Sequence, residues 1–182
     1  MKKAISKALL RLAGWKLGPV VEDVPKCVIC VAPHTSNWDF ILGKLAYLSI
    51  GRKAGFLMKK DWFFFPLGAL FRSMGGVPVE RSRKTDLVEQ LVRMYRSNDR
   101  FAVAITPEAT RKRNPDWKRG FYYIALEAQV PIVLAYIDYK YKRIGLNRMI
   151  EPTGNIEADM KEIKAYYRDF NGRYPENFSV GD

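Results

Sequence analysis

Histidine and cysteine are scarce in this chain of 182 residues, which contains one histidine and two cysteines. These few residues exclude a disulfide framework and supply too few ligands for a tetrahedral zinc site built from histidine and cysteine alone. Any imidazole chemistry must therefore use His34. Cys27 and Cys30 have the spacing of a redox pair, but in a predicted strand this odd spacing sends the two side chains to opposite faces. We expect both to be buried and unpaired.

Long apolar runs, linkers and internal repeats are also missing. No uncharged stretch of about eighteen apolar residues occurs, so no membrane-spanning helix is expected. The hydrophobic share of 48% and the charged share of 27% are typical of globular proteins and exclude disordered, collagen-like and coiled-coil chains. Because nothing divides the chain, we expect residues 1–182 to form a single domain.

Acidic residues are in the minority, and 31 Lys and Arg against 19 Asp and Glu give a formal net charge of +12. A surplus of this size indicates an anionic partner, which is a nucleic acid, a membrane surface or a phosphate-bearing substrate. Part of the charge lies in residues 1–18, where Ile5, Leu9 and Leu12 share one helical face and the lysines lie largely away from it. This pattern predicts an amphipathic helix, either bound to a membrane surface or packed on the domain's own core.

Apolar patterns of strand length and helix length alternate along the rest of the chain. This alternation predicts an α/β fold, a single layered domain with a mixed, mostly parallel sheet flanked by helices. Thr85 is expected to cap one helix, and the aromatic run 62–65 either packs in the core or forms an exposed apolar ledge. Further helices are predicted at 39–50, 66–74, 118–129 and 156–170, and strands at 27–32, 56–60, 77–80, 101–106, 131–139 and 142–150.

The first candidate site is His34, which follows a predicted strand and precedes Asp39 by five residues. The carboxyl ends of strands are where α/β folds place their ligands. If the loop folds back, Asp39 accepts a hydrogen bond from one ring nitrogen of His34 and leaves the other nitrogen as a general base. The alternatives are that Asp39 forms a helix capping box with Ser36 and that His34 is a structural histidine.

Three further segments carry candidate residues. Residues 75–81 pair two glycines with Arg81, whose planar fork suits a phosphate. Residues 105–111 place Glu108 at a strand exit and begin a basic loop with Arg111. Residues 130–134 open an apolar strand with proline. Each segment taken alone has a simpler interpretation. Residues 75–81 also fit a surface arginine, residues 105–111 a solvated run of charges, and residues 130–134 a core strand.

Taken in order, the four segments resemble the glycerolipid acyltransferase superfamily, which includes the 1-acylglycerol-3-phosphate acyltransferases. The resemblance covers residues 25–140, the motif-bearing core. Thr106 and Ala109 stand where the family has phenylalanine and glycine, so the loop beside Glu108 is expected to be less free. The matching blocks are H-x4-D at His34 and Asp39, G-x-x-x-x-R at 76–81, P-E-x-T-R at 107–111 and V-P-I-V at 130–133.

The resemblance implies transfer of a fatty acyl group from acyl-CoA or acyl carrier protein to the hydroxyl of a glycerol-phosphate or lysophospholipid acceptor. His34 is then the general base, Asp39 orients it, and the helix amides after His34 are expected to help stabilise the oxyanion. Transfer is direct, with no metal and no cofactor beyond the acyl donor. The residues that the resemblance assigns to acceptor binding are Arg81, Glu108, Thr110 and Arg111.

A protein of this kind is expected in the cytoplasm, bound peripherally to the anionic inner face of the cell membrane, with no nucleic acid as partner. Two other interpretations stay open at this point. A basic nucleic-acid-binding module would use the charged loop 110–119, although no known nucleic-acid-binding signature is present. A lipid-binding relative without catalytic activity would keep the fold and lose turnover.

Overall fold

The computed structural model of the chain describes residues 2–80 and 84–181. Within these ranges, seven strands form one sheet in the order β1-β7-β6-β2-β5-β3-β4. Every neighbouring pair is parallel except the hairpin of β6 and β7. The strands are β1 (Lys16–Val20), β2 (Lys26–Val31), β3 (Gly55–Lys59), β4 (Gly76–Val79), β5 (Phe101–Ile105), β6 (Ile132–Asp138) and β7 (Arg143–Ile150).

Helices cover both faces of this sheet, and the predicted α/β fold with a mixed, mostly parallel sheet is confirmed. Two short 3-10 helices, Lys60–Trp62 and Pro175–Asn177, supplement them. The α-helices of the described residues are α1 (Lys2–Leu12), α2 (Trp38–Ser49), α3 (Leu67–Ser73), α4 (Lys84–Ser97), α5 (Gly120–Ala128) and α6 (Ile156–Tyr167).

Two sequence predictions need correction, and a third, that Thr85 caps a helix, concerns a side chain outside the described part of the chain. The N-terminal helix ends at Leu12 rather than at residue 18. Residues 16–18 belong instead to β1, which the sequence did not predict because Gly18 and Pro19 interrupt its pattern. Proline is tolerated there because β1 is an edge strand of the sheet.

The face of the sheet that carries α4, α5 and α6 is filled by large rings. Tyr95, Tyr122, Tyr167 and Phe121 are fully buried there. The Tyr167 hydroxyl donates to the carbonyl oxygen of Cys30 at 2.6 Å, so the ring is both buried and satisfied. Helix α6 is therefore fixed to the central strands by packing and by a hydrogen bond, and α5 is joined to α6 by the bond from the Tyr122 hydroxyl to Asp159.

The opposite face carries α1 and α2. Leu10 of α1, Leu42 and Ala46 of α2, and Ile137 and Ile144 of the sheet form a buried cluster. The two cysteines divide between the faces, because Cys27 packs on the α2 side and Cys30 among the α4–α6 residues. The prediction that they are buried and unpaired is confirmed, and burial raises the pKa of the Cys27 thiol to about 11.

Helix α1 contacts the body of the protein through a side other than its apolar stripe. Ser6 and Leu10 are its buried residues, whereas Ile5, Leu9 and Leu12 are exposed. One side of the helix packs on α2, as the core alternative expects, and the apolar stripe is left uncovered. Binding of this helix to a membrane surface stays a prediction. No helix in the part of the chain that the structure describes combines the length and apolar character that crossing a membrane requires.

Candidate active site

His34 lies in the loop that joins the carboxyl end of β2 to the start of α2. Its Nδ1 is 3.2 Å from Oδ2 of Asp39, and the imidazole side chain is 18% exposed. The loop thus folds back as the H-x4-D spacing requires. Within the described residues, Nε2 has no hydrogen-bond partner, so the geometry favours a ring that donates from Nδ1 to Asp39 and keeps Nε2 as an acceptor.

Asp39 is buried and accepts hydrogen bonds from three groups besides its contact with the imidazole. The backbone amides of Thr35 and Ser36 donate to its Oδ2 at 2.9 Å each. The hydroxyl of Tyr139 donates to Oδ1 at 2.6 Å. The bond from Ser36 forms just before α2, so the same carboxylate organises the loop that enters the helix and faces the imidazole. The full capping box is not formed, because the Asp39 amide donates to the backbone carbonyl of Ser36 and not to its hydroxyl.

Glu108 is buried and supports the His34 loop from the neighbouring strand β5. Both of its carboxylate oxygens accept the backbone N–H of His34, at 3.0 and 3.1 Å. Burial, aided by the charge of Asp39, raises the pKa of Glu108 from 4.5 to about 7, although the His34 amide opposes this. Its contacts therefore fix the position of His34, whereas an acceptor-binding role for Glu108 stays a prediction.

Ala109, next to Glu108, adopts a left-handed backbone with φ of +56°. Side chains with a Cβ rarely adopt this conformation, which glycine adopts without cost. The acyltransferase resemblance has glycine at this position, so this chain keeps the backbone turn and accepts the strain of an alanine.

The amides at the start of α2 are already engaged. Thr35 and Ser36 donate to Asp39, and Trp38 donates to the Ser36 hydroxyl at 3.2 Å. The expectation that the amides after His34 stabilise an oxyanion is therefore wrong for these three groups, because the Asp39 carboxylate and the Ser36 hydroxyl already accept their hydrogen bonds.

A cavity of about 970 Å3 extends from His34 under α2. Small side chains leave this space open, because Ala104 of β5, Ala135 of β6 and Gly43 and Ala46 of α2 line it where larger residues would fill it. Aliphatic side chains such as Ile29 and Leu146 form other parts of the wall. An apolar, partly open volume of this size, with an imidazole at one end, is the default binding site of such a fold.

Two of the remaining predicted residues line this cavity, and the third lies outside the described residues. Thr110 and Arg111 line it, and Arg111 is exposed. Arg81 lies outside the described residues. The backbone before Arg81 requires the two glycines, since Gly75 has φ of +90° and a Cβ on Gly76 would lie 2.9 Å from the carbonyl oxygen of Phe71.

The C-terminal segment also reaches this region, which the sequence analysis did not anticipate. The amide of Tyr174 donates to Oγ1 of Thr35 at 3.2 Å. The guanidinium of Arg173 lies 5.9 Å from the ring centre of Trp38 and 5.8 Å from that of Tyr174. No local pattern points to the contacts with Thr35 and Trp38, because they join distant parts of the chain.

Metal-ligating side chains are not clustered in the described ranges. Among residues 2–80 and 84–181, no group of three His, Cys, Asp or Glu residues is placed to hold a metal ion. The expectation that the reaction uses no metal and no cofactor beyond the acyl donor stays a prediction.

Comparison with known proteins is consistent with this geometry. A family model described as Acyltransferase matches residues 21–138, which include both His34 and Glu108. The chain is 24% identical over 160 residues to a 1-acyl-sn-glycerol-3-phosphate acyltransferase of Haemophilus influenzae, and 25% identical over 128 residues to one of Escherichia coli. It is 32% identical over 124 residues to the human 1-acyl-sn-glycerol-3-phosphate acyltransferase beta.

These matches cover 78%, 66% and 62% of this chain, respectively, for the Haemophilus, Escherichia and human proteins. The chain spans 65%, 51% and 41% of those relatives' own lengths. The crystal structure of the 1-acyl-sn-glycerophosphate acyltransferase PlsC from Thermotoga maritima matches with a TM-score of 0.59 at 15% identity. That match covers 93% of this chain and 80% of the other, and at this identity it supports the fold.

Proposed function

The chain belongs to the acyltransferase family, and from that premise we propose that it transfers a fatty acyl group to a hydroxyl of a glycerol-phosphate or lysophospholipid acceptor. The donor is the thioester of acyl-CoA or acyl carrier protein. The observation that carries the proposal is the pairing of His34 and Asp39, with Nδ1 3.2 Å from the carboxylate, at one end of the apolar cavity.

The proposed reaction uses the free ring nitrogen of His34. Nε2 takes the proton of the acceptor hydroxyl while its oxygen attacks the thioester carbonyl. The tetrahedral intermediate then collapses, the carbon–sulfur bond breaks, and the departing thiolate takes the proton from the imidazolium. Asp39 keeps Nδ1 as the donor nitrogen and stabilises the positive ring, as in other paired imidazole–carboxylate sites.

The cavity under α2 is the proposed site of the acyl chain. A fatty chain needs an elongated volume without polar demands, and the walls near Ala104, Ala135 and Leu146 are apolar. Burial of each methylene contributes about 0.8 kcal/mol to binding. A cavity of about 970 Å3 limits how many methylenes can be buried, and this limit gives the protein a means of selecting chain length. The thioester then lies near His34, where the cavity reaches the loop after β2.

Anionic groups of both substrates are proposed to bind at the basic end of the cavity. Arg111 lines it, and the family resemblance adds Arg81 and Thr110 to the acceptor site. A planar guanidinium binds a phosphate through two parallel hydrogen bonds, which a lysine cannot reproduce. Glu108, whose carboxylate holds the His34 backbone, is proposed to act through the loop rather than on the phosphate.

A membrane surface is the proposed place of action, because lysolipids partition into bilayers. Eleven of the fourteen exposed large hydrophobic side chains of the described residues lie before residue 75. The helices concerned are neighbours, since α1 packs on α2 and Lys44 of α2 donates to the carbonyl oxygen of Met74 after α3. The eleven are Ile5, Leu9, Leu12, Trp38, Phe40, Ile41, Trp62, Phe64, Phe65, Leu70 and Met74.

Basic side chains accompany this apolar surface, which suits an anionic leaflet. The first sixteen residues contain no acidic residue and five basic ones, which are Lys2, Lys3, Lys7, Arg11 and Lys16. Each basic group near an anionic surface contributes roughly 1 kcal/mol. We propose peripheral binding to the inner face of the cell membrane, strengthened by the exposed aromatic ledge at 62–65.

The proposed function is tested with purified protein, a long-chain acyl-CoA and 1-acylglycerol-3-phosphate in mixed micelles. Wild type is expected to form the diacyl product. His34→Ala is expected to lose about 10²–10⁴-fold in turnover, because the general base is removed. A thermal melt close to that of wild type shows that the loss is chemical.

His34→Asn is the matched control, because its side-chain amide can still donate to Asp39 but is not a base. It is expected to be as inactive as His34→Ala. If either variant kept near-native turnover, the proposed acyl transfer by His34 would be wrong. Restored turnover in the Asn variant alone would assign His34 a structural role.

A further inference from the structure

Tyr139 contacts the carboxylate of Asp39 from outside every motif that the family resemblance uses. It follows the end of β6, and its hydroxyl donates to Oδ1 of Asp39 at 2.6 Å. Burial first, and then the bond to Asp39, raise the pKa of Tyr139, while the charge of Arg173 lowers it. The phenol therefore keeps its proton over the physiological range and acts as a hydrogen-bond donor.

The two oxygens of Asp39 are held in different ways. Oδ2 faces three donors, which are the amides of Thr35 and Ser36 and Nδ1 of His34. Oδ1 accepts from Tyr139, and among the described residues it has no other donor. The terminal torsion of an aspartate is broad, so bonds to one oxygen alone leave the carboxylate plane free to turn. The bond from Tyr139 removes that freedom.

The ring of Tyr139 is itself held in place. The indole of Trp15 meets it edge-on, with ring centres 4.9 Å apart at 89°. The backbone amide of Tyr139 donates to the carbonyl oxygen of Asn171 at 2.9 Å. Trp15 is fixed in turn, because its amide donates to the carbonyl oxygen of Leu10 at 2.8 Å and Leu10 is buried against α2. A continuous series of contacts therefore joins α1 to Asp39 through Trp15 and Tyr139.

We infer that Tyr139 is a positioning residue of the acyl-transfer site, which sets the plane of the Asp39 carboxylate toward His34, and that Trp15 keeps the Tyr139 ring in place. This inference rests on the proposed role of His34 as the base. It also ties the N-terminal helix, whose outer side is proposed to meet the membrane, to the geometry of the imidazole.

The first test compares Tyr139→Phe with wild type in the acyl-transfer assay. The variant keeps the ring and its contact with Trp15 but loses the donor to Oδ1. We expect kcat to fall about tenfold, since a hydrogen bond to a charged group is lost, while the KM for donor and acceptor changes less than about twofold. In an Asp39→Asn background the same substitution should cost nothing further, because the two residues act as a unit.

The second test needs no turnover. Because His34 is the single histidine, protein labelled with nitrogen-15 in histidine gives one pair of ring signals. With a neutral ring, wild type should show mainly the tautomer that carries its proton on Nδ1. Tyr139→Phe should shift the signals toward a mixture of tautomers.

Two substitutions, Trp15→Leu and Trp15→Phe, test whether Trp15 keeps the Tyr139 ring in place. The leucine variant, which loses the edge contact, should lower kcat about threefold, and the phenylalanine variant should restore most of it. A leucine variant equal to wild type would overturn the part assigned to Trp15.

The outcomes separate this inference from the proposed function. Turnover of Tyr139→Phe within twofold of wild type, with His34→Ala inactive, would overturn the role of Tyr139 and leave acyl transfer intact. A full tenfold loss on top of Asp39→Asn would also overturn it, because the effect would not pass through Asp39. Turnover retained in His34→Ala would refute the base, while the tautomer measurement would still test whether Tyr139 orients the pair.

Discussion

The two faces of the central sheet differ in how densely they are packed. The face beneath α4, α5 and α6 is filled with large, fully buried rings such as Tyr95, Tyr122 and Tyr167. The face beneath α2 has alanine and glycine among its lining residues and leaves a cavity of about 970 Å3. Protein interiors are normally close-packed, and an unfilled volume costs stability. The difference indicates that the first face provides more of the stability and that the second leaves a volume open at the candidate site.

Two consecutive residues of β6 show the contrast at its smallest scale. Leu134 points to the packed face and is fully buried there. Ala135 points to the other face and lines the cavity. Because successive side chains in a strand alternate between faces, one strand serves both purposes. Substitution of Leu134 should therefore mainly lower stability, whereas substitution of Ala135 should mainly change activity.

The largest effect is expected on the packed face. Leu134→Ala should lower the free energy of unfolding by about 2–5 kcal/mol, since it leaves a void among rings that cannot collapse into it. Turnover per folded molecule should stay near that of wild type at temperatures well below the melting transition. Denaturant titration gives the free energy, and a loss below about 1 kcal/mol would contradict the division between the faces.

A second effect concerns Glu108, beside His34. Its pKa is raised to about 7 in the folded protein from 4.5, so between these values the folded state holds a proton that the unfolded state has released. Stability from this group is therefore greatest at low pH and falls as the pH rises toward 7. The total fall is at most about 3 kcal/mol.

Glu108→Gln tests this by removing the titration while keeping an oxygen for the His34 amide. The stability of wild type relative to this variant should decrease between pH 5 and pH 8, as measured by urea unfolding at each pH. A constant difference across that range would show that the carboxyl is not held protonated by burial.

A smaller effect is expected at the exposed apolar stripe of α1. Replacing Ile5, Leu9 and Leu12 together with serine should weaken binding to anionic vesicles at least about tenfold, because these side chains supply apolar contact. The melting temperature should hardly change, since the buried residues of α1 are Ser6 and Leu10. Co-sedimentation at two salt concentrations measures both the apolar and the ionic parts.

Tyr123→Ser is the matched control for this variant. Tyr123 is exposed as well, but it lies on α5, which covers the opposite face of the sheet. It should leave vesicle binding unchanged. Equal losses in the two proteins would show that α1 does not make the membrane contact.

The order of strands and helices was accessible from the sequence because it depends on local periodicity. Elements such as β2, α2 and β6 appear within one or two residues of their predicted bounds. Strand β1 was missed, since Gly18 and Pro19 hide its pattern and its partner β7 lies far along the chain. The order of strands in the sheet was not predicted for the same reason.

The candidate site was only partly accessible. His34 and Asp39 are close in sequence, so their spacing predicted their contact. The hold of Glu108 on the His34 amide depends on β2 and β5 being neighbours, which no local pattern indicates. Tyr139 reaches Asp39 across 100 residues. Such contacts follow from sheet topology, and short motifs do not contain that information.

The central claim is that the cavity under α2 holds the acyl chain, and it is tested by narrowing the cavity at two depths. Ala135 pairs with Val31, whereas Ala104 pairs with Ile29. Ala104 therefore lies two residues, or about 7 Å, further from His34 along the sheet. Leucine at either position should shorten the space available to the chain.

The deciding measurement is kcat/KM for octanoyl-, lauroyl- and palmitoyl-CoA with wild type, Ala104→Leu and Ala135→Leu. We predict that Ala104→Leu loses activity selectively toward the palmitoyl donor, and that Ala135→Leu loses it toward the lauroyl donor as well. Both variants should keep activity toward the octanoyl donor. An unchanged chain-length profile in two folded variants would contradict the claim and place the acyl chain elsewhere.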